Sequence, residues 1–154
     1  MKNVIIAGSK ESSILRQNCY PVEVPGDQVT ADMIIGLLKE VLDNNSDAAG
    51  IAAPQIGFSK RIAVIHKSVV NSKEHLVLIN PEVQTIGVDT TAEVEGCLSF
   101  PGLSKRVKRF KNVTVSTLLS ASSNDKVTIK LTGFPSRAVQ HEVDHLNGIT
   151  ILEK

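Results

Sequence analysis

The chain has almost no net charge to offer a partner. Seventeen Lys and Arg stand against sixteen Asp and Glu in 154 residues, a formal +1, which gives no broad field for nucleic acid or an anionic membrane. Partners must therefore be selected by a site. Cysteine is scarce as well. Cys19 and Cys97 lie far apart, with neither metal-knuckle nor redox-pair spacing, so no disulfide framework is indicated and reduced thiols in a cytoplasmic setting are expected. Long apolar runs are missing: the stretch before Gly8 is too short for a signal-peptide core, and nothing later approaches a membrane span. Repeats and low-complexity tracts are absent too. With 42% apolar residues, the length suits one core, and residues 1–154 are expected to form one domain.

What the chain does have is a change of hydrophobic period. In residues 30–47, "TADMIIGLLKEVLDNNSD", Met33, Ile34, Leu37, Leu38, Val41 and Leu42 recur at helical spacing, Thr30 suits an N-cap, and "DNNSD" breaks the pattern. From Arg61 onward the runs "RIAVIH", "HLVLIN", "VQTIGV", "NVTVSTLL" and "KVTIKL" are short and β-branched, and read as antiparallel strands. "SASSND" reads as a turn between two of them. A second helix is predicted from about Pro135 through His145, stopping near Asn147-Gly148. Helix, strands, helix makes an α+β domain.

The second helix carries "HEVDH". Residues four apart lie roughly 40° apart around a helix and about 6 Å along it, so His141 and His145 share one face and can share a metal. Glu142 is displaced around the helix, where it would reach a water and not the metal, the place for a general base. A solvated helix end is the plain alternative. A catalytic metal site normally takes three protein ligands. After His145 only "LNGITILEK" remains, which restricts a downstream ligand to Glu153. The third is therefore expected upstream, at Cys97 in "EGCLS", where Gly96 permits a sharp backbone path; a buried, inert cysteine is the alternative. In "AAGIAAPQIG", residues 48–57, small residues let backbone approach a ligand, and the Gln55 amide can donate to a developing oxyanion, unless the segment is an ordinary turn.

"GIAAPQ", "EGCLS" and "HEVDH", in this order and at these separations, resemble the three motifs of the peptide deformylase family. The resemblance implies an α+β fold with small antiparallel sheets around a metal-bearing C-terminal helix. It also implies hydrolysis of the N-formyl group from the initiator methionine of new polypeptides, releasing formate. Carried over, it makes Cys97, His141 and His145 the metal ligands and Glu142 the acid/base, with Gln55 and the Leu98 N–H stabilising the oxyanion. Substrate contacts are expected at Ala49, Gly50 and Gly96. The implied cofactor is one divalent metal, iron(II) in the cell, with zinc, nickel or cobalt suited to the same donors. The implied partners are N-formylmethionyl peptides and, transiently, the ribosome, with the chain acting as a monomer and no membrane involved. The sequence departs from the family at Ala48, where the first motif has glycine, and at "KESSILR", where a Pro-Asp pattern is usual. Many bacterial members continue past the metal-bearing helix into a further helix that can dock on the ribosome, whereas this sequence stops at Lys154.

Phe134 and Ala138 stand seven and three residues before His141, on the helix face leading to the metal, and either line the methionine pocket or pack in the core. Asp144 is expected to support the ligand pair or stabilise the helix, with Arg109 as its candidate partner, and a solvated carboxylate is the plain alternative. The basic run "KRVKRFK", residues 105–111, reads as a solvated strand face or a contact for RNA or a peptide carboxylate. His66 and His75 have no ligand spacing, and Cys19 reads as buried and inert.

Overall fold

In the computed structural model, which describes residues 2–154, the first helix, α1, spans Gln28–Asp43. Its buried stripe is Ala31, Ile34, Leu38, Val41 and Leu42, as a 3.6-residue period requires. Two details differ from the sequence reading. Thr30 lies inside the helix, because Asp27 precedes it and turns its carboxylate back to accept the Glu23 N–H at 2.9 Å and the Lys60 ammonium at 2.6 Å. Met33 falls outside the stripe and is 48% exposed, with Ala31 completing the buried face.

Three short strands follow: β1 (Gly50–Ala52), β2 (Ile62–Ile65) and β3 (Leu76–Ile79), an antiparallel sheet in that order. Strand β4 (Glu82–Thr85) belongs to a second antiparallel sheet. Strands β5 (Thr90–Glu95) and β6 (Lys105–Phe110) pair only with each other, and β7 (Asn112–Leu118) and β8 (Lys126–Thr132) complete the second sheet in the order β4-β7-β8. The last helix, α2, spans Phe134–Leu146. Two helices and small antiparallel sheets make the α+β arrangement expected.

The first sheet is covered on both faces. Ile51, Ile62 and Val64 join the core built by α1, while Ala52, Ala63, Ile65 and Leu78 join the core containing Ala138, Val139 and Leu146 of α2. This is why "IAVI" in β2 is apolar throughout and does not alternate. Small side chains on the second face, Ala52 and Ala63 against Ala138, let α2 lie close to the sheet. Pro135 sits in the first turn of α2, where its missing N–H has no intrahelical partner to lose. The other end is closed by Gly148 at φ 73°, where a β-carbon would lie 2.7 Å from the Arg16 carbonyl carbon and oxygen. Only glycine fits there, and the histidine-bearing end of α2 is thereby held against the turn at Ser12–Arg16.

Two sequence readings are corrected, and one strand had not been read. The strand expected in "VQTIGV" stops at Thr85, and Val88 is 87% exposed. Strand β5 has five exposed residues out of six, so it shows no apolar alternation to read. The run "KRVKRF" is a strand, but its face is not uniformly solvated: Val107 and Arg109 turn inward, only 1% and 4% exposed.

Candidate metal centre

Cys97 follows β5 by two residues, and α2 presents His141 and His145 to it. The Cys97 Sγ lies 3.4 Å from His145 Nε2, which lies 3.2 Å from His141 Nε2, and all three donor atoms fall within 4.8 Å of one another. Tetrahedral ligation at ordinary Zn–S and Zn–N lengths requires donor separations of about 3.3–3.6 Å. The residues present fit a single metal ion.

Electrostatics point the same way. Burial pushes His145 down to about 3, and the positive charges of His141 and Arg109 add to this, so its imidazole is neutral, the ligating form. For His141 burial acts downward as well, but hydrogen bonds with Cys97 and Glu95 and the charge of Glu142 outweigh it and raise the ring to about 10. The Glu95 and Glu142 carboxylates thus place negative charge beside the three donors.

Glu142 is 4% exposed, and its Oε2 has no hydrogen-bond partner among the described residues. Burial, opposed by the charges of His141 and Arg109, raises its carboxyl to about 7, near the value that suits proton transfer at neutral pH. Room for the side chain is made by Gly50. A β-carbon there would lie 3.0 Å from Glu142 Cγ, from its Oε1 and from the Val64 carbonyl oxygen. The carbonyl belongs to β2 and is fixed, so the carboxylate must give way. Gly50→Ala is expected to lower turnover by about tenfold or more, as small displacements of a reacting group do, with metal content unchanged. A parent-like kcat would show that Glu142 does not depend on that space.

Gln55 is 2% exposed and held at both ends of its amide. Its Oε1 accepts the Ala52 N–H at 3.0 Å, and its Nε2 donates to Ser99 Oγ at 3.2 Å and toward Cys97 Sγ at 3.5 Å. The amide nitrogen is thus oriented beside the metal donors. None of the hydrogen bonds among the described residues uses the Leu98 N–H. A cleft of about 640 Å³ joins these groups, lined by Ala49, Gly50, Gln55, Gly96, Cys97, Leu98, Phe134, Ala138, His141 and Glu142. Of the site residues named from sequence, only His145 lies behind its wall. Phe134 is 56% exposed at the rim and not in the core, whereas Ala138 is buried.

The sequence reading gave no role to Glu95 or Arg137. Glu95 Oε1 accepts from His141 Nδ1 at 2.9 Å and Arg109 Nη2 at 2.9 Å, and Oε2 from Arg109 Nε at 3.0 Å and Arg137 Nη1 at 2.5 Å. Arg109 also reaches Asp144, the pairing anticipated from sequence. Burial alone would raise the Glu95 carboxyl, but hydrogen bonds from His141, Arg109 and Arg137 hold it well below the usual carboxylate range. Bonding His141 at Nδ1 leaves Nε2 facing Cys97, which fixes how the ring can ligate. Two signals were present: Glu95 opens "EGCLS", and Arg137 precedes His141 by one helical turn. Elsewhere, His75 pairs with Asp43 at 2.8 Å, His66 with Ser68, and Cys19 is buried, so none of them enters the site.

A cysteine sulfur and two imidazoles around one point, with an unpartnered carboxylate beside them on a cleft, make the site of a hydrolase that could hold one metal ion. The family model for polypeptide deformylase matches residues 1–154, and the chain belongs to that family. It is 39% identical to the peptide deformylase of Thermodesulfovibrio yellowstonii over 150 residues, covering 92% of this chain and 89% of that one. It also resembles a class I type b peptide deformylase from Acinetobacter baumannii bound to Met-Ala-Ser (TM-score 0.87, 30% identity, 100% of this chain and 99% of that one). A peptide deformylase from Thermotoga maritima gives a TM-score of 0.86 at 30% identity, covering 100% and 97% of the two chains.

Proposed function

We propose that this chain is a peptide deformylase that hydrolyses the N-formyl group of N-formylmethionyl polypeptides, releasing formate and a free amino terminus. The observation that carries the reading is the unpartnered Glu142 carboxylate beside the Cys97, His141 and His145 donors in one cleft. Those three residues would hold a divalent metal, which when bound supplies Lewis-acid polarisation and makes a water acidic. Glu142 takes a proton from the attacking water and delivers it to the departing amine as the C–N bond breaks. Gln55 Nε2 and the Leu98 N–H donate to the formyl oxygen as it gains charge. Ala49, Gly50 and Gly96 allow the peptide main chain to approach, and Phe134 and Ala138 border the methionine side chain.

The metal is proposed to be iron(II), with zinc, nickel or cobalt able to use the same thiolate and imidazole donors. In air, the iron-loaded protein is expected to lose activity over hours as Cys97 oxidises, while the nickel-loaded form keeps it. Equal survival, with Cys97 unmodified in both by mass, would remove iron from the account. Among the described residues no helix is long and apolar enough to cross a membrane; action in the cytoplasm as a monomer, with brief ribosome contact, belongs to the same proposal. The test is formate release from formyl-Met-Ala-Ser set against cleavage of unblocked Met-Ala-Ser by the metal-loaded protein. Formate release alone is expected; peptide-bond cleavage of the unblocked form would make the protein a metallopeptidase.

A further inference from the structure

We infer that the extended segment at residues 4–7 is a positioning strap that sets the distance between the two oxyanion donors, Gln55 and the Leu98 N–H. Gln55 stands in the turn at Ala53–Ile56 that leaves β1, whereas Leu98 stands in the loop that leaves β5. Those strands belong to different sheets with no ladder between them, so sheet hydrogen bonding does not fix one donor relative to the other. The strap adds a main-chain connection to the side-chain bonds that Gln55 makes with Cys97 and Ser99. The Ile5 N–H donates to the Gln55 carbonyl at 2.7 Å, and the Ala7 N–H donates to the Ser99 carbonyl at 2.8 Å. Gln55 Nε2 closes the ring on Ser99 Oγ at 3.2 Å. Ser99 is fully buried and follows Leu98 directly, so holding its carbonyl anchors the loop with a single peptide unit between that anchor and the one carrying the Leu98 N–H.

The strap is itself anchored. Val4 packs against the core around α1, the Ile5 Cδ1 approaches within 3.7 Å of where a β-carbon on Gly57 would lie, and the Lys2 ammonium sits 5.3 Å from the Phe58 ring centre. Ile6, between the two donors, turns its side chain outward at 40% exposure. Neither strap residue touches the cleft, so both act through Gln55 and Ser99.

The inference rests on the deformylase reading, and the experiment separates the two. In the full-length, metal-loaded protein, Ala7→Pro removes the donor to Ser99 and Ile5→Pro the donor to Gln55, because proline has no N–H. Ile6→Pro is the control, since its N–H makes neither bond. For formyl-Met-Ala-Ser, the first two are expected to lower kcat about tenfold to a hundredfold, with KM, melting temperature and metal content near parental values; Ile6→Pro stays within about twofold of the parent. In a Gln55→Ala background there is no longer a pair to space, so adding Ala7→Pro should lower kcat by less than about threefold, the non-additivity of groups acting as a unit. A full multiplicative loss there, or parental kcat in both single variants, overturns the strap. If the proline variants lose metal and cooperative melting, Ile5→Ala decides, because it keeps every donor and trims only the anchor at Gly57. It should lose about threefold in kcat at unchanged stability, and parental kcat overturns the inference. A parent protein that releases no formate refutes the deformylase reading itself.

Discussion

Glu142→Gln is expected to keep the fold and the metal and to lose about 10²–10⁴-fold in deformylation turnover, the range general acid-base catalysis supplies. The substitution preserves size in a place where size is constrained on the Gly50 side. It changes one property that matters, since an amide cannot accept the proton of the attacking water. The carboxylate is free for that task because its Oε2 has no partner among the described residues and because burial raises its proton affinity. Parental kcat with unchanged metal content would show that the proton goes elsewhere.

Glu95→Ala is expected to damage stability and metal binding together. The carboxylate neutralises Arg109 and Arg137, which are only 4% and 5% exposed. Removing one partner from buried ion pairs typically costs about 3–5 kcal/mol. At roughly 2–4 °C per kcal/mol for a chain of this size, the melting temperature should fall by about 10 °C. His141 also loses the acceptor at Nδ1, and loss of such a partner weakens metal affinity by about 10- to 100-fold. Glu95→Gln keeps an acceptor for His141 while removing the charge, so it should retain metal better than the alanine variant at similarly reduced stability. Unfolding curves and metal titrations of both variants check this, and equal metal affinity in the parent and Glu95→Ala would show that the His141 ring is held by packing alone.

The donors of the site were legible because each sits in a short motif with a chemical reason for its spacing. Helical geometry pairs His141 with His145, and a third ligand was needed upstream. The network behind them was harder to read. Glu95, Arg109 and Arg137 come from β5, β6 and α2, and their convergence depends on the strand pairing that sets Thr91 opposite Arg109 and Glu95 opposite Lys105. Strand β5 lacks an apolar face, so the hairpin that delivers Cys97 had no periodic signature. The start of α1 was misplaced because Asp27 spends its carboxylate on Glu23 and Lys60, not on a cap. Strap residues are recognised through main-chain N–H groups, which every non-proline residue carries, and no side-chain motif marks them.

The most direct measurement is a cobalt(II) titration of metal-stripped protein, with thiolate-to-metal absorbance and formate release from formyl-Met-Ala-Ser followed in the same sample, for the parent and for Cys97→Ser. In the parent both signals should rise together and level off together at equivalence. In Cys97→Ser the absorbance should be missing and binding weakened, because a hydroxyl replaces a thiolate. Formate release from the stripped parent before cobalt is added, or binding by Cys97→Ser as tight as the parent's, would contradict a deformylase centre built on Cys97, His141 and His145.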